Sequence, residues 1–152
     1  MEASQKEVLR FLEPTVQRLI DSHLVNQNLW MPSELLHPGG YTHERSVQLK
    51  IEANDVPLAA RAVLVLNALT EAGLPHFHRL LAQYLGEDTN WRVWTDLWTA
   101  EEDRHDGVLH DYIRETRLVD VGEVERLQYQ YLMTGFRPEW NQDCSVEIID
   151  SY

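Results

Sequence analysis

Glu102 and His105, three residues apart within "WTAEEDRHDG", have the types and spacing for metal chemistry. A carboxylate and an imidazole one helical turn apart offer an oxygen and a nitrogen ligand to the same ion. Six ionisable groups crowd the same ten residues, from Glu101 to Asp106, so the face each occupies matters. On a helix, Trp91, Trp94, Trp98, Glu102, His105, Leu109 and Tyr112 follow steps of three and four and form one mostly apolar stripe. Glu101, Asp103, Arg104 and Asp106 then fall to its sides, toward solvent. A carboxylate in an apolar seam is costly unless it is paired or bound to a metal, so Glu102 needs a partner. The same spacing also suits an ordinary hydrogen-bonded core histidine, and more ligands are needed to tell the two apart.

Glu71 supplies one. It interrupts an almost wholly apolar run from Ala59 to Leu69, with Leu64, Ala68 and Leu74 around it at helical spacings. Pro75 lies four residues on and has no N–H to give the Glu71 carbonyl, so the helix is expected to loosen at the acid itself. Carboxylate-bridged di-metal bundles take a Glu from each of two helices and a Glu-x-x-His from each of two others. Glu71, Glu102 and His105 are half of such a set. Their oxygen and nitrogen atoms suit iron or manganese better than sulfur-seeking metals, and iron is the natural choice for oxygen chemistry. The one cysteine, Cys144, excludes an intrachain disulfide and a Cys-based cluster.

The elements that must position these residues are helical. With 152 residues and 43% hydrophobic content the chain can bury one real core, and helical period dominates while strand signals are nearly absent. The spacing predicts a first helix from a Ser4/Glu7 capping box through Val8, Phe11, Leu12, Val16, Leu19 and Ile20, with Pro14 as a kink. From about Asn26 to Asp55, Pro32, Pro38 and Gly39-Gly40 suggest a wrapping loop. A second helix is expected over Val56 to Leu85, ended by Gly86 with Asp88 and Thr89. A third covers Asn90 to Arg117, and a fourth runs from an Asp120/Glu123 capping box to about Gly135. The two middle helices, each roughly 40 Å long, would wall a bundle from end to end. The expected division is residues 1–143 as the bundle and 144–152 as a divergent tail. No run is apolar enough to span a membrane, and the N-terminus lacks the apolar core of a secretory signal, so the expectation is a soluble, cytoplasmic chain. A net charge of −12 argues against nucleic acid.

The stretches "ALTEAGLPHFHRLLAQYLG" and "WRVWTDLWTAEEDRHDGVLHDYI" resemble the acyl-[acyl-carrier-protein] desaturase family, whose hallmark runs read T-E-x-x-L-P-x-[YF] and W-T-A-E-E-x-R-H. The likeness extends to "LEPTVQRLIDSHL" and "NLWMPSELL" upstream and "YLMTGFRPEW" downstream. It implies an all-α, ferritin-like helical bundle, here partial, with iron-ligand roles for Glu71, Glu102 and His105. It also implies insertion of a cis double bond into a saturated acyl chain on acyl carrier protein, with O₂ and a ferredoxin-type electron donor. Beyond the region matched by "WNQD" the family continues into a third Glu and a second Glu-x-x-His. Here the chain reads "CSVEIIDSY", and Glu147, with no His after it, is not taken as a ligand. The expectation is therefore an N-terminal half with half of a di-iron ligand set, inactive alone.

Two other classes compete. His105-Asp106, with His76, His78 or His110, could belong to an HD-type metal phosphohydrolase. A non-catalytic helical module from a truncated desaturase would expose an apolar face that seeks a partner or a second copy. Two copies about a two-fold axis would bring together two Glu and two Glu-x-x-His sets, a homodimer that completes the ligand count. For an acidic carrier protein, Arg114, Arg117 and Arg126 form the basic patch available for docking.

Overall fold

The computed structural model describes residues 4–85 and 89–134, and every described element is an α-helix. They are α1 (Gln5–Asn26), α2 (Pro32–Leu36), α3 (His43–Asn54), α4 (Leu58–Glu71), α5 (Leu74–Leu85), α6 (Asn90–Thr116) and α7 (Val121–Thr134). The expectations for Gly86, Asp88, Gly135, Cys144, Glu147 and the tail 144–152 lie outside the described residues. Among the described residues no single helix is long and apolar enough to cross a membrane; the bent pair α4 and α5 reaches that length and composition only together.

α6 is the axis of the arrangement, touched by α1, α2, α3, α4 and α5, while α7 packs on α4. Its N-terminus is held by α1. Thr89 makes no side-chain cap, and the Glu13 carboxylate of α1 instead accepts from the Asn90 backbone N–H. That places a negative charge at the positive end of the α6 dipole. Trp91 Nε1 donates to the Leu9 carbonyl 3.1 Å away, a second tie between the same two helices. α1 is continuous through Pro14 and starts at the expected capping box, with Ser4 N donating to Glu7 Oε2 at 2.7 Å. The Asp120 cap of α7 is also as expected: Glu123 N donates to Asp120 Oδ1 at 3.1 Å.

The segment expected to be a wrapping loop holds two helices. α2 begins at Pro32, where a missing N–H does no harm, and the Glu34 carboxylate accepts from Met31 N. Gly39 and Gly40, at φ +84° and +106°, then turn the chain into α3, capped by Thr42. α3 buries only Ser46, Leu49 and Ala53, a row of small or single apolar groups among polar ones.

The expected second helix is broken. α4 ends at Glu71 and α5 starts at Leu74, bent by 42° from it. Pro75 cannot donate to the Glu71 carbonyl, and it fits the first turn of α5 where no donor is required. Gly73 fills the break because there is no room for more: an added Cβ would lie 2.9 Å from the Tyr131 hydroxyl of α7 and 3.0 Å from the Thr70 carbonyl.

The closed core lies toward the C-terminal end of α6. Ala53, Ala68, Ile113, Leu118 and Val121 form it, flanked by Val56, Leu64, Leu109, Tyr112 and Val119. Beside it the Arg61 guanidinium donates to four carbonyls: Val56, Leu118, Ala53 and Asn54, at 2.8, 2.9, 3.4 and 3.0 Å. One cation thus satisfies the end of α3, the following turn and the segment after α6, all acceptors without intrahelical donors.

Candidate metal centre

Glu71 is the last residue of α4, and Glu102 and His105 stand one turn apart on α6. The fold brings all three together: each offers a ligand atom, and these atoms lie within 4.8 Å of one another. All three are half-buried. Glu102 is the most enclosed of the α6 pair, its side chain 19% exposed against 42% for His105. The His105 Nδ1 and the Glu102 Oε2 are 2.8 Å apart, so the imidazole and its neighbouring carboxylate hold each other in place.

Two carboxylates this close repel. Burial pushes the Glu71 carboxyl above the ordinary carboxylate range, and the Glu102 charge pushes it further, with His105 pulling partly back. A divalent cation would reverse both effects, replacing lost hydration and neutralising the pair, so the donor set fits the metal that its types suggested. The freed carbonyl at the α4–α5 break coincides with Glu71, as the Pro75 spacing predicted.

Sequence reasoning missed the support around His105. Trp30, between α1 and α2, stacks on the His105 ring with centroids 5.8 Å apart and planes 17° from parallel. Its Nε1 donates to Glu101 Oε1 at 3.1 Å, and the Arg104 guanidinium lies 5.6 Å over its ring while pairing with the other Glu101 oxygen. Glu101 and Arg104 are therefore partly enclosed members of the site, where they were expected on its solvent side. A tryptophan seventy residues upstream leaves no local periodic signal, and that is why it went unseen.

The deepest line on α6 is also rotated from the expected stripe. Thr95, His110, Ile113 and Thr116 are the buried residues, whereas Trp94 is 37% exposed. Helices crowd α6 from several directions, so small polar side chains that bond their own backbone occupy the tightest contacts. Thr95 Oγ1 donates to the Trp91 carbonyl and Thr116 Oγ1 to that of Tyr112. The tryptophans instead line a groove of about 490 Å³ between α1 and α6, with Val16, Leu19 and Ile20 opposite.

The histidines of the phosphohydrolase reading go elsewhere. His78 Nδ1 is 2.6 Å from Thr99 Oγ1. His110 Nδ1 is 3.0 Å from the Asp106 carbonyl oxygen and 2.9 Å from Asp106 Oδ1. Among the described residues no cluster of three metal-capable side chains includes His76, His78 or His110. In the basic patch, Arg114 faces Glu125 at 3.6 Å and Arg126 is paired with Glu123, so two of its three charges are already matched.

The fatty acid desaturase family profile matches residues 4–151. A Mycobacterium tuberculosis protein provisionally named acyl-[acyl-carrier-protein] desaturase DesA1 is 33% identical over 138 residues, 89% of this chain and 41% of that protein. The chloroplastic acyl-[acyl-carrier-protein] desaturase of Cucumis sativus is 28% identical, covering 91% of this chain and 37% of its own length. A chloroplastic stearoyl-[acyl-carrier-protein] 9-desaturase of Gossypium hirsutum is 29% identical, with 87% and 36% covered. The chain thus spans about two fifths of the length of these relatives.

Proposed function

The chain belongs to the fatty acid desaturase family, and from that premise we propose that Glu71, Glu102 and His105 are half the ligand set of a di-iron desaturase centre. The reaction we assign is insertion of a cis double bond into a saturated acyl chain on acyl carrier protein, with O₂ as the oxidant, reduced to two waters by the two hydrogens taken from the chain together with two protons and two electrons from a ferredoxin-type donor. The observation that carries the reading is the convergence of the three ligand atoms within 4.8 Å from two separate helices.

An unactivated methylene offers no acidic proton, so neither Glu nor His acting as a base could remove it at neutral pH. Iron, when bound, supplies the oxidising power that the side chains lack. The chain's own residues do the positioning. Glu71 is set by the Pro75 break, and Glu102 and His105 by their mutual hydrogen bond. Trp30 fixes the plane of the His105 ring by stacking on it, and is itself anchored to Glu101 and Arg104.

The test is complementation. This chain is co-expressed with the C-terminal half of a full-length relative and supplied with iron, a ferredoxin-type reducing system and a saturated acyl-carrier substrate. Unsaturated product is expected only when both halves are present, and is expected to vanish with Glu71→Ala or His105→Ala. Turnover that survives both substitutions would sink the ligand assignment.

A further inference from the structure

We propose that His37 and Glu115 form a latch, about 15 Å along α6 from His105, that holds α2 in place and thereby keeps Trp30 stacked on the His105 ring. This rests on reading His105 as a metal ligand. It makes the pair positioning residues for that ligand, acting through Trp30 without touching the metal.

Three contacts set the path of this segment along α6. Trp30 meets Glu101, Arg104 and His105. The Pro32 ring lies against Gly107, where an added Cβ would be 3.2 Å from Pro32 Cγ. His37 Nε2 is 2.8 Å from Glu115 Oε2. The positions ascend together on both sides, so the segment from Trp30 to His37 runs beside α6 in the same direction. Little else steadies it. α2 has five residues, far fewer than a helix needs to persist by itself in water, and Leu36 is the one it buries. Before Trp30, Gln27, Asn28 and Leu29 are all exposed, so no packing on that side holds the indole. After His37, Gly39 and Gly40 turn the chain at positive φ and are exposed too.

The tie to Glu115 is the buried one. The His37 side chain is 9% exposed and that of Glu115 18%. His37 Nδ1 is buried with no hydrogen-bond partner, so the bond at Nε2 alone offsets the ring's loss of water. Burial opposes ionisation of Glu115, but hydrogen bonds from His37 and Ser46 and the charge of Lys50 prevail and hold its carboxyl below the ordinary range. One carboxylate thus joins both α2 and α3 to α6. Arg45 Nε, also on α3, donates to the Leu36 carbonyl at 3.1 Å, so the grip of α3 on the end of α2 is itself seated on Glu115. Without that carboxylate neither His37 nitrogen is bonded. The ring is then better solvated by swinging out to water, which lifts the end of α2 and, through that short helix, Trp30.

The test reads Trp30 and the metal separately, on the full chain. Exchange of the Trp30 indole N–H, assigned by its loss in Trp30→Phe, is followed by NMR in the metal-free protein, and cobalt(II) affinity by visible absorption. In Glu115→Ala the indole should exchange at least about tenfold faster, and cobalt should bind at least about threefold more weakly. Glu115→Gln keeps an oxygen that accepts from His37 Nε2 and should recover most of both. Val124→Ala, at a buried position of α7, should lower the melting temperature with neither effect. Indole exchange unchanged by Glu115→Ala, or raised as much by Val124→Ala, would overturn the latch. Faster indole exchange with unchanged cobalt affinity would overturn its reach to His105. If the unaltered chain takes up no cobalt, the ligand assignment falls and the link to the metal falls with it, while Trp30 exchange still decides the latch itself.

Discussion

The two ends of α6 are built on opposite plans. Toward its C-terminus, Ile113 is 1% exposed among Ala53, Ala68, Leu118 and Val121, and Arg61 satisfies the nearby helix-end carbonyls. From its middle toward its N-terminus, the same helix carries half-buried Glu102 and His105, which meet Glu71 of α4 with its carboxyl pushed upward, and then one wall of an open tryptophan-lined groove. One end is complete within the chain. The other spends its burial on groups that repel in the absence of a cation. The contrast separates the residues that hold this fold together from those of the candidate metal centre.

Breaking the closed end should have the largest effect. Ile113→Ala removes a fully buried side chain from a core of small residues that cannot collapse into the space, and should lower unfolding free energy by about 3–4 kcal/mol. Trp94→Ala, at the groove, should cost far less despite the larger side chain, because Trp94 already meets solvent. Urea unfolding of both variants checks the comparison. Equal losses would mean that the groove is as structural as the core.

Arg61→Met should come next. It keeps the aliphatic stem but strips four carbonyls of a charged donor, and about 2–3 kcal/mol should be lost. Arg61→Lys should recover little of it, since an ammonium lacks the planar fork that reaches several carbonyls at once. Hydrogen exchange should localise the loss to the end of α3 and the turn after α6.

At the open end the sign should reverse. Glu102→Leu removes one of two repelling carboxylates, and His105, 42% exposed, can bond water in its place. The metal-free chain should gain about 1–2 kcal/mol. Glu101→Leu should be destabilising, because it strips Trp30 Nε1 and Arg104 of their shared acceptor. Thermal melts in chelator distinguish the pair, and a gain at Glu101 with a loss at Glu102 would place the two acids on each other's faces.

The same contrast governs what could be read before the structure. The Ser4 and Asp120 caps and the all-helical fold were legible because each is written in local spacing, while the meeting of Glu71 with Glu102 and His105 was expected from the di-metal bundle pattern and the family resemblance. α3 was not, since its inward row of Ser46, Leu49 and Ala53 carries too little apolar contrast against its polar neighbours. The α4–α5 break was half legible: Pro75 marked where the hydrogen-bond ladder fails, but the 42° bend also needs Gly73 and the approach of Tyr131 from α7. Trp30 and Glu101 are joined only by the tertiary fold. Periodicity reports which face a residue shares, and says nothing of which distant side chain will meet it.

The smallest effect expected is a pH dependence between the two ends. His110 is 5% exposed, and its hydrogen bond to the Asp106 side chain raises its pKa above the ordinary histidine value, against the opposing pull of burial. The folded state therefore binds this proton more tightly than the unfolded chain does. Its contribution to stability is fully present below the unfolded pKa, about 6.5, and is lost as pH rises through the higher folded value. Glu71, also raised, tilts stability the same way from a lower starting point, so the measurement must be a difference. Melting temperatures of the chain and of His110→Gln, taken in chelator from about pH 5.5 to 8.5, should differ most at the acid end and converge toward the alkaline end. Glu7, Glu115 and Glu123, all lowered, act below the ordinary carboxylate range and leave this window clear. A gap that widens as pH rises would mean that His110 is held neutral, and that burial outweighs Asp106.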